Sequence, residues 1–310
     1  MFLSKFLDPK NDFCFRKIFG TEKNKDILVH FLNDVLRCEG NEQIIEVTFL
    51  PTIQDPDIAA YRKSIVDVLC KDQHGNQFIV EMQISKHPGF EKRAQFYAAK
   101  AYSQQRVEED EKHKKLAVYA KLKGVIFLAI ADFVMFEDKK HWKSEHRLLD
   151  TEESYAHDLK DFYFVFLELA KFNKAVDELK TIEEKWMYFF KHAGDSKLTL
   201  TEIEHLIGKD EIIRRAFEAV DQASWSEAEL NTYEQMTKAR LDNLAVEQQK
   251  IEDAEARGKA EEKISLAKEM LINNEPVEKI VKYTKLTIKE VEKLKIDVDF
   301  CKTPMTSTLK

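Results

Sequence analysis

Across residues 11–36 the apolar positions Phe15, Ile18, Phe19, Leu28, Phe31, Leu32, Val35 and Leu36 recur at helical spacing on either side of Gly20-Thr21. The pattern predicts two helices with an interruption at the glycine. The next apolar runs are short, rich in β-branched residues and close together, at residues 44–50, 64–70 and 77–83. They read as strands. A helix follows at 90–106, with Ala94, Ala98, Ala101 and Gln105 on one face, and further strands are predicted at 125–131 and 163–169.

From Thr181 onward the pattern is helical. Trp186, Tyr188, Phe189 and Phe190 supply the apolar face of a helix at 181–192 that is expected to pack on the sheet. Residues 227–263 contain no proline, a single glycine at Gly258 and sparse apolar positions at Leu230, Tyr233, Leu241, Leu244 and Ile251. This predicts a long exposed helix, with a coiled coil as the alternative reading of an imperfect heptad. Residues 264–295 divide into three short helices, the second opened by Pro276 and the third by the capping-box spacing of Thr287 and Glu290. Residues 303–310 read as a disordered tail. The domain expectation is therefore 1–195 as one α/β unit, 196–263 as linker and long helix, and 264–310 as a small helical unit with the tail.

Composition narrows the choice of function. The net charge of -7 argues against a protein coated in nucleic acid, yet residues 86–123 hold ten Lys and Arg against five Asp and Glu, a local basic segment. The four cysteines, Cys14, Cys38, Cys70 and Cys301, show no metal-finger spacing and read as thiols of a reducing compartment. His141 and His146 lack an acidic partner at fixed offset and read as loop residues. The longest apolar stretch, 124–136, is interrupted by Asp132 and too short to span a bilayer, so the chain is read as cytoplasmic, with no membrane partner. No glycine-rich phosphate loop and no nucleophile elbow is present.

The segment 64–83, SIVDVLCKDQHGNQFIVEMQ, carries the chemistry. Its two strands join through Gln73-His74-Gly75, with Gly75 expected in the left-handed conformation, and this loop sets Asp67 opposite Glu81. Period-two alternation then points Asp67, Glu81 and Gln83 to one face. Carboxylates among apolar strand residues are costly to desolvate, and two acids on adjacent strands make the partial site that Mg²⁺ or Mn²⁺ accepts. Acids on a solvated sheet face are the plainer alternative. The following helix weighs against it, because Arg93, Tyr97, Lys100 and Gln104 share a face read as opposite the alanines and suited to DNA phosphates and bases. That face has its own plain reading as a solvated one.

The succession NDFCFRKIFG (11–20), FLNDVL (31–36), DVLCKDQHGNQFIVEMQ (67–83), R-x-x-x-Y (93–97), Y-x-x-L (119–122) and LELAKF followed by W-x-x-F (186–189) resembles the recombination-promoting nuclease (Rpn) group, usually labelled PD-(D/E)XK nuclease family transposases. The resemblance runs over roughly residues 8–195. It implies an α/β restriction-endonuclease-like core: a helix, a three-stranded antiparallel unit, a helix and another strand, in a mixed sheet flanked by helices. It also implies Mg²⁺-dependent cleavage of DNA in recombination, mobile-element or phage-defence settings. By position, Asp67 and Glu81 would be metal ligands with the Met82 carbonyl beside them, and Asp12 a supporting acid. Gln83 stands where the wider superfamily carries lysine. An amide positions water but adds no charge, so Lys86, Lys92 or Arg93 is expected to supply the missing cation. The alternative is a silent DNA-binding or assembly protein that keeps the fold. The C-terminal unit has seven Lys and five Glu over 264–295 without a basic stripe, which points to homo-oligomerisation and away from base readout.

Overall fold

The computed structural model describes residues 5–54, 64–105 and 119–302. The expected tail at 303–310 and Arg106, the expected end of a helix, lie outside them. The chain forms two units, Met1–Thr237 and Lys238–Lys310.

The first unit opens with the two helices that the apolar stripe predicts. Helix α1 (Asp12–Phe19) starts at Asn11, whose side chain accepts from the amides of Phe13 and Cys14 at 3.0 and 3.3 Å. It stops at Gly20, where a Cβ would lie 2.8 Å from the carbonyl oxygen of Arg16. Helix α2 (Lys25–Leu36) follows and ends on Arg37 in the left-handed conformation.

Six strands form a mixed sheet in the order β1 (Val47–Phe49), β4 (Val68–Asp72), β5 (Gln77–Gln83), β6 (Val125–Ala131), β8 (Phe162–Glu168), β7 (Lys143–Arg147). The first three are antiparallel, β5, β6 and β8 are parallel, and β7 runs antiparallel along the edge. Helix α3 (Phe90–Ser103) makes the crossover from β5 to β6, and the central strand β6 is apolar on both faces, as a sheet covered twice requires, whereas β5 carries Gln77, Glu81 and Gln83 on the face of Ile79. Two strands, β2 (Ile53–Gln54) and β3 (Ser64–Ile65), pair with each other as a separate ribbon. The single strand expected at 64–70 is thus broken: residues 64–65 leave the main sheet, and the chain bends at Asp67 before β4 begins.

The two faces are packed differently. On one, Phe15, Phe19 and Phe31 of α1 and α2 meet Trp186, Phe189 and Phe190 of α4 (Ile182–His192), all of them fully buried. Each such side chain contributes about 1.5–3 kcal/mol by leaving water, so this face anchors the fold. α4 begins with a capping box: the Thr181 hydroxyl accepts from the Glu184 amide at 3.3 Å, and Glu184 accepts from the Thr181 amide. Helices α5 (Leu200–Ile207) and α6 (Glu211–Val220) add Leu206, Ile213, Phe217 and Val220 to the same core, so residues read as a linker after 195 are part of this unit's interior. On the other face α3 lays Ala94, Ala98 and Ala101 against Ile79, Phe127 and Ala129. Small residues let that helix approach the strand ends closely.

Helix α7 (Glu227–Ile272) is longer than the 227–263 expected, because the first of the three short C-terminal helices is its continuation. In the second unit Ala267 and Leu271 of α7 pack with Ile280 of α8 (Val277–Thr284) and Val291 of α9 (Ile288–Lys302). Pro276 precedes α8, and the Thr287 hydroxyl accepts from the Glu290 amide at 3.3 Å, as the spacing predicts. Among the described residues no helix is long and apolar enough to cross a membrane.

Candidate metal and phosphate site

The hairpin that carries the acids folds as its sequence dictates. Gly75 has φ +88°, and Gly75 N donates to Asp72 O at 3.1 Å. Asp72 Oδ1 also accepts from the amides of His74 and Asn76, at 2.9 and 2.8 Å. The turn fixes the register Val68↔Val80, Leu69↔Ile79 and Cys70↔Phe78. Asp72 N donates to Asn76 O, so hydrogen-bonded pairs recur every second residue, and the same register extended one step past Val68↔Val80 sets Asp67 against Glu81 at a non-bonded position. Such pairs bring the Cα atoms to about 4.5 Å and their side chains closest together.

The bend at Asp67 creates the site. Continued register would put the Val66 carbonyl against the Met82 amide, but the Val66 amide instead donates to Thr52 O at 3.2 Å. Asp67 Oδ2 takes over the Met82 amide at 3.0 Å. The Met82 carbonyl lies on the same edge of β5 as that amide, toward the gap left by the strand. Glu81 and Gln83 share the sheet face of Ile79, beneath α3.

Asp67 and Glu81 are only 8% and 7% exposed. Burial pushes the Glu81 carboxyl well above the usual carboxylate range, and the Asp67 charge and a hydrogen bond shared with Asp67 push it further. Arg93 and Arg16 pull it back. Glu81 Oε1 is buried with no hydrogen-bond partner. Two carboxyl groups so placed call for a proton or a cation between them.

Two arginines surround the pair. Arg16 of α1 donates to Asp67 Oδ1 through Nε at 3.1 Å and Nη2 at 2.9 Å. Arg93 of α3 donates through Nη2 to Gln83 Oε1, while Gln83 Nε2 donates to Ser85 O at 2.8 Å. The Gln83 amide is therefore engaged at both ends. The Arg93 guanidinium also lies 4.9 Å from the ring centre of Phe90 and 6.0 Å from that of Tyr97. Tyr97 completes the surroundings: burial raises its phenol, with Arg93 opposing and Glu81 and Asp67 reinforcing the shift.

The structure thus gathers Asp67, Glu81, Met82, Gln83, Arg93 and Tyr97. Of the cations expected to replace a lysine at 83, Arg93 reaches the site, whereas Lys86 is exposed and pairs with Glu137 at 3.5 Å, and Lys92 is exposed. Arg93, Tyr97 and Lys100 are half-buried on the flank of the alanine stripe, so that face is not opposite the alanines as read from sequence. Gln104 is exposed at the end of α3, about 16 Å along the helix from Arg93 at 1.5 Å per residue. Asp12 is exposed in the first turn of α1, four residues before Arg16 on the same helical face. His146 belongs to β7 and is no loop residue; its ring lies 5.2 Å from that of Phe136, and burial lowers its pKa. Arg16 went unnoticed in the sequence. Its one signal there is a cation on the polar side of an otherwise aromatic helix.

A mixed six-stranded sheet flanked by helices is the architecture of a PD-(D/E)XK-like α/β fold. The profile of the family described as PD-(D/E)XK nuclease family transposase matches residues 9–252, and the chain belongs to that family. No curated protein and no solved structure matches the chain.

Among the described residues there is no group of three or more His, Cys, Asp or Glu side chains placed to hold a metal ion. The two carboxylates nevertheless fit a hard cation that keeps most of its waters and takes its remaining oxygens from a phosphate. The unpartnered Glu81 oxygen is the atom that such an ion would satisfy.

Proposed function

We propose that the protein is a Mg²⁺- or Mn²⁺-dependent DNA endonuclease that hydrolyses phosphodiester bonds at the Asp67–Glu81 pair. One observation carries this reading: a buried glutamate with an orphan oxygen stands against a second buried carboxylate. Two acids buried side by side in an apolar strand pair cost stability once both ionise, and a divalent cation removes that cost. When bound, such an ion supplies Lewis acidity, making a nucleophile from water at neutral pH and offsetting the charge that builds on phosphorus.

The chain's own residues do the rest. Asp67, Glu81 and the Met82 carbonyl provide oxygen ligands. Arg93, held by Gln83, brings a fixed positive charge to the phosphate where the superfamily uses lysine, and Gln83 acts by orienting that guanidinium. Tyr97 and Lys100 extend the same flank of α3 toward DNA. Asp12 supports the pair from the start of α1. The C-terminal helices join copies of the chain into a homo-oligomer, suited to cutting both strands in recombination, mobile-element or phage-defence reactions.

The replacement of lysine by Gln83 favours a second reading, a silent DNA-binding or assembly protein. Incubating purified protein with supercoiled plasmid separates the two. Nicking that requires Mg²⁺ or Mn²⁺ supports the enzyme, and retention without nicking supports the binding protein.

A further inference from the structure

We infer that Arg16 is an internal counter-ion that occupies the metal-ligating oxygen of Asp67 in the metal-free protein, surrenders it when a divalent ion enters, and then turns its guanidinium to the DNA phosphate. This rests on the metal site proposed above. Three observations support it.

First, the geometry is that of a cation parked on one oxygen. Both donors, Nε at 3.1 Å and Nη2 at 2.9 Å, converge on Asp67 Oδ1, whereas Oδ2 is fixed by the Met82 amide at 3.0 Å. An arginine whose purpose was to clamp a carboxylate would spread its fork over both oxygens. Here Oδ2 is held by the backbone, so Asp67 keeps its place when Arg16 leaves Oδ1.

Second, the two partners differ in freedom. The Asp67 side chain is 7% exposed, but that of Arg16 is 46% exposed, so the guanidinium has a path to solvent. Its helix is anchored independently of the pair. The Asn11 side chain donates to Thr237 Oγ1 at 3.0 Å, the Asp8 amide donates to the Tyr233 hydroxyl at 3.0 Å, and Lys17 pairs with Glu229 at 2.6 Å and lies 3.9 Å from the ring centre of Trp225. A swing of Arg16 therefore leaves α1 where it is.

Third, a guanidinium and a divalent ion on one carboxylate oxygen repel each other. One excludes the other. The displaced arginine remains within a side chain's reach of the acids, where its planar donors match a phosphate. This makes Arg16 a gate on metal occupancy and a second phosphate contact beside Arg93.

Titrating Mn²⁺ into the full-length protein by calorimetry, without DNA, tests the exchange. Arg16→Ala should bind Mn²⁺ several-fold more tightly than the parent and gain more in melting temperature from it. In Ca²⁺, used as a probe of DNA binding, the same variant should show a salt slope shallower by about one phosphate contact, and Arg16→Lys should restore the slope. Arg16→Lys also guards against misfolding as the explanation of any loss. Metal binding equal to or weaker than the parent's would make Arg16 a mere support of Asp67 and overturn the inference, as would an unchanged salt slope. If the parent itself binds no Mn²⁺, the metal site fails and the gate with it, an outcome distinct from a parent that binds and a variant that binds less.

Discussion

Arg93 and Gln83 form a hydrogen-bonded pair across the gap between α3 and β5, the guanidinium donating to the amide oxygen while the amide nitrogen donates to Ser85 O. The neutral residue that the proposed function sets at the superfamily's lysine position is thereby coupled to a charge from the next helix. Arg93→Ala should lower kcat by about 10²–10³-fold, the scale on which a preorganised donor to the transition state acts. Gln83→Ala should cost less, lowering kcat with Mn²⁺ affinity close to the parent's. Steady-state kinetics with calorimetry checks both. Loss of metal binding in Gln83→Ala would make the amide a ligand.

Glu81→Gln replaces a buried acid whose ionisation burial and the Asp67 charge oppose. In metal-free buffer this variant should melt above the parent, and a gain of about 1 kcal/mol would appear as roughly 2–4 °C. The rise in melting temperature that Mg²⁺ or Mn²⁺ gives the parent should largely vanish in the variant. Scanning calorimetry with and without metal reads both effects.

The pH dependence follows from the direction of the Glu81 shift. Its folded pKa is raised, by burial first and by Asp67 next, so its contribution to stability is fully present below the unfolded value of about 4.3 and is lost as pH rises through the folded pKa. Metal-free parent should therefore lose stability over this window relative to Glu81→Gln. Metal binding should strengthen over the same window, since the carboxylate must be ionised. Denaturant melts at a series of pH values would show the two proteins' curves diverging with rising pH.

Removing the second unit should change assembly without unfolding the first. Tyr233 and Thr237 bond to the start of the chain, so the cut belongs after Thr237, and cutting at the start of α7 would strip those contacts. Beyond it Leu241, Leu244 and Ile251 are 60%, 39% and 54% exposed along α7, at coiled-coil spacing. Light scattering should give the chain ending at Thr237 a smaller assembly than full length. Equal masses would remove the proposed role of these helices.

Thr181→Ala should cost about 1 kcal/mol by deleting the hydroxyl that caps α4. Equilibrium urea melts check it.

The hairpin was legible because its register depends only on local sequence: the Gln73-His74-Gly75 loop and period-two alternation suffice to set Val68 against Val80, one step short of Asp67 and Glu81. Helix α3 and strand β6 were legible for the same reason, each having one clear period. The edge strand β7, Lys-Ser-Glu-His-Arg, was not, because a strand paired on one side needs no apolar run. Nor was the bend at Asp67, which depends on Val66 finding Thr52. Arg16 lies 51 residues from Asp67, and no local spacing announces a contact made by folding a helix against a distant strand.

The most direct test of the account is plasmid nicking by the parent, Asp67→Ala and Glu81→Ala side by side, each shown to be folded. A single remaining carboxylate holds a strongly hydrated divalent ion poorly, so the parent should nick supercoiled DNA only with Mg²⁺ or Mn²⁺ and each variant should lose most of that activity. A parent that never nicks, or an Asp67→Ala protein that cuts as well as the parent, would contradict the account and leave the acids as structural residues of a DNA-binding or assembly protein.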